Sequence, residues 1–330
     1  MKILFYGAKN YDKQFFDLEL PKYPDISITY LDTNINETTA LLATGYDAIC
    51  AFVNADLSAP IIKMIAEEGV KVILMRCAGY NNVDLKEAEA LGLTVYHVPS
   101  YSPEAVAEHA MALAQSANRR THKAYIKCRE NNFAIQGLMG VTLLGKTAGI
   151  VGTGKIGLAM ARICQGFGMK VLGVDKFPNP EGGFIQYVSL EELLRESDLI
   201  SLHCPLTPES RHMINKDSIS TIKKDAILVN TSRGGLIKTE DLIDSIREGY
   251  FSAVGLDVYE EEEEYVFEDL SEHVLQEDIV ARLLSFPHVI ISSHQGFFTK
   301  EALEAISETT LENAKAYLEK QINGNEIVSK

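Results

Sequence analysis

The chain has 330 residues, and since a single hydrophobic core stops growing near roughly 250–300 residues, this length predicts two domains. A formal net charge of −15 argues against a nucleic-acid partner, because phosphate contacts need clustered lysine and arginine. The five cysteines include no C-x-x-C pair and are odd in number, which argues against a zinc ribbon and a disulfide framework, and we expect no bound metal. No apolar stretch approaches the ~18 residues of a membrane span, so we expect a cytoplasmic protein with no membrane partner.

The first hundred residues alternate between strand-like and helix-like patterns. Short runs rich in β-formers lie at residues 3–6, 26–31, 48–53, 72–76 and 94–98. Helical patterns at residues 59–69 and 84–92 separate some of them, and each ends on a glycine that suits a helix C-cap. Strands that alternate with helices predict an α/β fold with a parallel sheet covered on both faces.

The pattern changes at Ser102, which offers a helix N-cap before Pro103 and Glu104. Residues 102–130 are predicted to form one long helix that leads into a second domain. That domain contains six further predicted strands, at residues 148–151, 170–174, 199–202, 226–230, 253–256 and 289–292. A long amphipathic helix from about residue 300 to 321 ends the chain, and packing on the first domain would make that domain discontinuous.

A glycine motif opens the second domain. Gly152, Gly154 and Gly157 form G-x-G-x-x-G between a predicted strand and a predicted helix, the arrangement that places a pyrophosphate on a helix N-terminus. The next strand ends at Asp175, where a carboxylate can bind a ribose and repel a 2′-phosphate. The pattern predicts NAD rather than NADP; the competing interpretation is a glycine-tolerant turn followed by a surface aspartate.

Several long motifs carry a resemblance to a known family, among them "RCAGYNNVDL", "GKTAGIVGTGKIG", "ILVNTSRGGLI" and "SSHQGFFTKEAL". The chain resembles the D-isomer-specific 2-hydroxyacid dehydrogenases over essentially its whole length, most closely the fermentative, lactate-forming members. The resemblance implies two Rossmann-like or flavodoxin-like parallel-sheet domains with the active site in the cleft between them. It assigns residues 1–100 and 299–330 to a substrate-binding domain and residues 101–298 to an NAD-binding domain.

Matching the family motifs to this sequence implies three catalytic residues, Arg233, Glu262 and His294. It implies further cofactor contacts beside the glycines and Asp175, at Lys155, Ile156, Cys204, Pro205, Ser210, Thr231, Ser232 and Asp257. Besides Arg233, the residues that it places at the substrate are Phe52, Ala78, Gly79, Tyr101 and Phe297. Phe298 falls near the same positions.

The three catalytic candidates are the residue types that reduction of a 2-oxo acid needs. A guanidinium offers a carboxylate two parallel hydrogen bonds, and histidine is the side chain whose pKa lies closest to neutrality. A glutamate on the other ring nitrogen would orient the imidazole and favour its protonated form. Glu262 is the middle of five consecutive glutamates, so a one-residue shift in the matching would move the assignment.

The function implied by the resemblance is reversible reduction of pyruvate to D-lactate by NADH, in a homodimer or homotetramer. One alternative is a broader D-2-hydroxyacid dehydrogenase that acts on phenylpyruvate or 2-oxoisocaproate. Another is a scaffold that senses NAD(H) and regulates a partner, since fold alone does not decide activity.

Overall fold

The computed structural model describes residues 1–260, 262, 266–267, 269–272 and 278–328. The strands in these ranges are β1 (Lys2–Phe5), β2 (Ser27–Tyr30), β3 (Ala48–Ala51), β4 (Val72–Met75), β5 (Thr94–Tyr96), β6 (Thr147–Val151), β7 (Lys170–Val174), β8 (Gln186–Tyr187), β9 (Leu199–Leu202), β10 (Ala226–Asn230), β11 (Phe251–Leu256), β12 (Val289–Ile291) and β13 (Glu326–Ile327).

The helices in the same ranges are α1 (Asn10–Glu19), α2 (Ala59–Glu67), α3 (Leu85–Ala90), α4 (Pro103–Arg119), α5 (Thr121–Arg129), α6 (Lys155–Gly166), α7 (Leu190–Glu196), α8 (Lys216–Thr221), α9 (Thr239–Arg247), α10 (Asp278–Ser285) and α11 (Lys300–Leu318). Within these ranges, no helix combines the length and the apolar character that crossing a membrane requires.

The chain divides into two compact units, one formed by Met1–Ser102 with Phe298–Lys330 and the other by Pro103–Phe297. The boundaries expected from the sequence fall within two residues of these. Each unit contains one sheet, so the predicted α/β class with two parallel-sheet domains is confirmed.

The first unit contains a six-stranded sheet in the order β13-β5-β4-β3-β1-β2, parallel except for β13. The central strands β3 and β4, with sequences AICA and VILM, are fully buried, as expected for strands covered on both faces. Helix α11 contributes Leu311 and Ala314 to the core beside β1 and β3, so the C-terminal helix belongs to this unit.

The second unit contains a seven-stranded sheet in the order β12-β11-β10-β9-β6-β7-β8, in which every described pair is parallel. Helix α4 packs against α6 and β11 through a face of small residues that includes Ala107, Ala110 and Ala114. This close approach leaves little room, since a Cβ added at Gly255 on β11 would lie 3.0 Å from Cβ of Leu113.

The prediction of one long helix over residues 102–130 is wrong. Arg120 adopts a left-handed conformation, with φ of 50°, which ends α4 at Arg119 and lets α5 begin at Thr121. Left-handed backbone cannot continue a right-handed helix, so the direction of the chain changes at this residue. The terminal helix also ends before Gln321, at Leu318.

Candidate active site and cofactor cradle

The candidate residues of the second unit follow successive strands of its sheet. Gly152 follows β6, Asp175 follows β7, Cys204 follows β9, Arg233 follows β10, Asp257 follows β11 and His294 follows β12. Because the strands are parallel, all of these residues lie beyond the same edge, the carboxyl ends, where open α/β sheets place ligands.

The glycine loop shows why each of its glycines is needed. Gly152 has a φ of 89°, and a Cβ there would lie 2.5 Å from the backbone nitrogen of Cys204. A Cβ at Gly157 would lie only 1.8 Å from the carbonyl oxygen of Gly152, so helix and turn touch. A Cβ at Gly154 would meet nothing within 4 Å, which leaves open space directly before the first residue of α6, Lys155. The loop therefore fits a dinucleotide phosphate bound at a helix N-terminus.

Asp175 lies beside this loop. Its Oδ2 accepts hydrogen bonds from the backbone nitrogen of Thr153 at 2.6 Å and from the Thr153 hydroxyl at 3.2 Å, and its Oδ1 accepts one from the Phe177 backbone at 2.9 Å. These bonds hold the carboxylate at the end of β7, where the ribose of a dinucleotide would be expected.

The loops after β9 and β10 are tied together. Ser232 donates from Oγ to the carbonyl of Cys204 at 2.7 Å, and Ser210 donates to the carbonyl of Pro205 at 2.8 Å. Burial is the main cause that raises the pKa of the Cys204 thiol to about 11, so this side chain stays neutral. Thr231 has a buried hydroxyl to which the described residues offer no hydrogen bond, a polar atom that a bound cofactor could satisfy.

His294 and Glu262 form a close pair. Nδ1 of His294 lies 3.0 Å from Oε1 of Glu262, and their side chains are 18% and 13% exposed. The second carboxylate oxygen of Glu262 accepts a 3.4 Å hydrogen bond from the backbone of Tyr259. An ionised carboxylate only accepts, so Nδ1 carries the hydrogen and Nε2 is the ring nitrogen that can exchange a proton with a ligand.

The other glutamates of the run do not share one environment. Glu260 lies 2.6 Å from Nε2 of His212 and accepts a 3.1 Å hydrogen bond from the backbone of Thr239. Glu260 therefore holds this loop in place. The sequence did not predict this role, because the partners of Glu260 are distant in the chain. Glu261, Glu263 and Glu264 lie outside the described residues.

Arg233 lies in the turn after β10. The turn is closed by Asn230, whose side-chain amide donates to the carbonyl of Arg233 at 2.9 Å. The next residue, Gly234, approaches the loop after β11, since a Cβ there would lie 2.1 Å from the carbonyl oxygen of Tyr259. One guanidinium nitrogen donates to the carbonyl of Ser232 at 2.7 Å, and the side chain is partly exposed.

Asp257 is a buried centre of hydrogen bonds, 1% exposed. It accepts them from Ser292, His109 and the backbone of Gln295 and Gly296. Burial alone would raise its pKa, but the hydrogen bonds from His109, Ser292 and the Gln295 backbone, together with the charge of His109, lower the pKa below its usual range. Asp257 is therefore ionised, and its contacts explain a role in holding this loop that the sequence did not reveal.

The substrate candidates of the first unit also follow strands at carboxyl ends. Phe52 follows β3 and is buried, with the Arg76 guanidinium 4.5 Å from its ring centroid. Ala78 and Gly79 follow β4, and the carbonyl of Ala78 lies 2.9 Å from Nδ1 of His97.

The remaining aromatic candidates differ in burial. Tyr101 follows β5 and is half-buried. Phe297, in the second unit, is buried with its ring centroid 6.3 Å from that of Phe267. Phe298 is half-exposed and packs edge-on against Tyr11.

Among the described residues, His, Cys, Asp and Glu side chains form no cluster of three or more that could hold a metal ion.

Comparison with known proteins decides the family. Residues 111–296 match the model of the D-isomer specific 2-hydroxyacid dehydrogenase, NAD binding domain. The chain belongs to the D-isomer-specific 2-hydroxyacid dehydrogenase family. It is 45% identical over 331 residues to D-lactate dehydrogenase of Escherichia coli strain K12, an alignment that covers 99% of this chain and 100% of the relative.

Two solved structures of D-lactate dehydrogenases are similar to the structure of this chain. The apo-structure from Escherichia coli has a TM-score of 0.90 and 42% identity, covering 99% of this chain and 100% of that chain. The enzyme from Aquifex aeolicus, complexed with NAD and lactic acid, has a TM-score of 0.88 and 32% identity, covering 99% of both chains. The predicted family and the predicted NAD cofactor are confirmed.

Proposed function

We propose that this dehydrogenase is an NAD-dependent D-lactate dehydrogenase, which reduces pyruvate with NADH and also catalyses the reverse oxidation. The observation that carries the proposal is the pair formed by His294 Nδ1 and Glu262 Oε1, 3.0 Å apart, beyond the carboxyl ends of a parallel sheet. The D-lactate dehydrogenases with similar sequences and structures support the choice of substrate.

His294 is the proposed general acid. The Glu262 carboxylate accepts the hydrogen bond of Nδ1 and orients the ring, so that the imidazolium can release a proton from Nε2 to the carbonyl oxygen of the substrate. In the oxidative direction the neutral Nε2 takes the proton of the hydroxyl. The roles of Glu262 are therefore to orient the ring and to stabilise its positive charge.

Arg233 is the proposed partner of the substrate carboxylate. Its guanidinium has five N–H donors in a planar fork, and among the described residues one of its nitrogens donates to the carbonyl of Ser232. The remaining donors can form two parallel hydrogen bonds with a carboxylate, which fixes the orientation of the carbonyl group.

The cofactor would be held along the carboxyl edge of the second sheet. When bound, NADH supplies the hydride that the carbonyl carbon receives. We assign its binding to Gly152, Gly154, Lys155, Ile156, Gly157, Asp175, Cys204, Pro205, Ser210, Thr231, Ser232 and Asp257. Two observations support this assignment: the open space at Gly154, and the buried hydroxyl of Thr231, to which the described part of the chain offers no hydrogen bond.

The proposed substrate residues are Phe52, Ala78, Gly79 and Tyr101 in the first unit and Arg233 and Phe297 in the second. Their contact with substrate stays a prediction from the family. Three of them are aromatic, and large side chains at a substrate leave little space, which favours pyruvate over 2-oxo acids with branched or aromatic side chains.

Loss of NADH absorbance on adding pyruvate, 2-oxoisocaproate or phenylpyruvate tests the proposal, together with the configuration of the product. We expect the highest kcat/KM with pyruvate and D-lactate as product. Preference for one of the larger substrates would support the broader dehydrogenase. NADH binding without turnover of any of the three would support a sensing scaffold instead.

We also propose that the protein forms a homodimer or homotetramer through the segment from α5 to β6. Several large apolar side chains there are exposed, among them Tyr125, Phe133, Ile135, Met139 and Leu144. An exposed apolar group of this size is typical of a surface that another chain covers.

A cytoplasmic location is proposed as well. All five cysteines are free thiols, and one of them, Cys128, is exposed. An exposed free thiol persists best in a reducing compartment.

A further inference from the structure

His294 lies in a loop that is fastened to a single buried residue. The backbone nitrogen of His294 donates to the carbonyl of Asp257 at 2.9 Å. The side chain of Asp257 accepts hydrogen bonds from the backbone of the next two residues, Gln295 at 2.9 Å and Gly296 at 2.8 Å. It also accepts one from the hydroxyl of Ser292 at 2.6 Å, so the loop is held on both sides of His294.

A second histidine reaches this centre from a different element. His109, on α4, places Nε2 3.2 Å from Oδ1 of Asp257 and 3.0 Å from Oγ of Ser292. The carboxylate of Asp257 only accepts, so Nε2 must carry a proton. Since Ser292 gives its hydroxyl proton to Asp257, its oxygen is free to accept from the same Nε2. His109 is thus a donor to both residues that hold the loop.

The loop needs such support because its backbone is strained. His294 has a φ of 49°, a left-handed conformation that a residue with a Cβ adopts only when its surroundings impose it. The space beside Gly296 in the same loop is also filled, since a Cβ there would lie 3.0 Å from Oδ2 of Asp257 and 3.6 Å from Cδ2 of His109.

We propose that His109 is a positioning residue for the reaction. Through Asp257 and Ser292, it fixes the loop of residues 292–296 so that the imidazole of His294 stays in contact with Glu262 and faces the substrate. The inference rests on the proposed role of His294 as general acid. It assigns His109 no contact with substrate or cofactor.

Three variants test the proposal by activity. His109→Leu removes the donor with little change in volume, and kcat for pyruvate should fall about 10- to 100-fold, because a small displacement of a catalytic group costs this much. KM for pyruvate should change little, since Arg233 is untouched. His109→Gln keeps an N–H donor near the position of Nε2 and should retain most of the activity. His288→Leu removes a histidine at the other end of β12, whose Nε2 has no partner among the described residues, and should leave kcat unchanged.

Amide hydrogen exchange of Gln295 and Gly296 in the cofactor-free protein gives a readout that does not depend on turnover. Exchange should be faster in His109→Leu than in the unmodified chain, and close to normal in His109→Gln. Unchanged kcat and unchanged exchange in His109→Leu would overturn the proposal, and so would equal losses in His109→Gln and His109→Leu. If the unmodified protein reduces none of the 2-oxo acids, the proposed function fails, and the exchange rates still decide whether His109 holds the loop.

Discussion

Arg233 illustrates how much of the site depends on the geometry of one side chain. Arg233→Lys keeps the positive charge and loses the paired donors, and each hydrogen bond to a charged group contributes roughly 1.5–3 kcal/mol. We therefore expect kcat/KM for pyruvate to fall about 10- to 100-fold, because each 1.36 kcal/mol corresponds to a factor of ten. Steady-state kinetics with Arg247→Lys, an exposed arginine of α9, provides the control. A near-normal Arg233→Lys enzyme would refute the assigned role.

The sequence can propose a site residue that stands in a motif. It does not reveal a role that depends on contact with a partner far away in the chain. Arg233 and His294 stand in family motifs, and the family resemblance places Glu262 five residues after Asp257, so the sequence proposes all three as catalytic and their roles stay a prediction. The contact of Glu260 with His212 and that of His109 with Asp257 join segments far apart in the chain. Such contacts follow from the order of the strands in the sheet, which residue types alone do not reveal.

At the scale of elements, the turn between β6 and α6 offers a matched pair of glycine variants. A Cβ at Gly154 would enter open space, whereas a Cβ at Gly157 would collide with the carbonyl of Gly152. Gly154→Ala should leave the thermal midpoint nearly unchanged but weaken NADH binding about tenfold or more, because crowding a filled site costs ~1–3 kcal/mol. Gly157→Ala should lower the thermal midpoint clearly. Calorimetric melting measures the thermal midpoint, and NADH fluorescence titration measures the affinity. Normal NADH affinity in Gly154→Ala would contradict the binding of the cofactor phosphates at this glycine loop.

The free energy of unfolding depends on pH through His203, which lies at the end of β9. Burial lowers the pKa of His203 to about 4, and Ser201 lies 2.8 Å from its Nε2. The stabilising contribution of this neutral histidine is complete above its unfolded pKa of ~6.5 and is lost as pH falls from there towards about 4, with a slope of up to ~1.4 kcal/mol per pH unit.

Urea unfolding of the unmodified chain and of His203→Gln, followed by circular dichroism across this pH range, checks the prediction. The difference in unfolding free energy between the two proteins should shrink as pH falls, because glutamine does not titrate. A difference that is independent of pH would show that His203 titrates alike in the folded and unfolded states.

Elements with strong patterns were predicted well, and short or interrupted ones were not. The runs at residues 170–174, 199–202 and 226–230 coincide with β7, β9 and β10, because buried parallel strands have continuous apolar sequences. The two-residue strands β8 and β13 were missed, since two residues show no periodicity. The break at Arg120 was missed because the sequence around it, SANRRTHKAY, has no glycine or proline that would mark a left-handed residue.

At the scale of the whole molecule, self-association can be tested on the exposed apolar segment. Ile135 and Met139 are 83% and 88% exposed. Replacing both with aspartate should shift the protein towards monomer in sedimentation velocity, because a desolvated charge strongly opposes association. Leu18→Asp, at another exposed apolar residue, is the matched control and should leave the sedimentation coefficient unchanged. Persistence of the same oligomer in the Ile135→Asp, Met139→Asp variant would place the interface elsewhere.

The division into two parallel-sheet units was predictable as a whole, because the length requires two cores and the strand–helix alternation occurs on both sides of Ser102. The amphipathic pattern left the return of α11 to the first unit open, and the family resemblance was what assigned residues 299–330 to that domain. The structure places α11 in the first unit because Leu311 and Ala314 are buried against strands nearly three hundred residues earlier. The amphipathic pattern alone does not specify which strands the helix packs against.

The pH–rate profile of pyruvate reduction in Glu262→Gln, measured beside Glu260→Gln, tests most directly whether Glu262 supports His294 as general acid. Glu262→Gln removes a negative charge 3.0 Å from Nδ1, so activity should fall off at lower pH than in the unmodified chain. The loss at neutral pH should stay within the ~10²–10⁴-fold typical of general acid catalysis. Glu260→Gln, whose partner is His212, should leave the alkaline limb in place. An unshifted limb in Glu262→Gln, or equal shifts in both variants, would contradict the assignment.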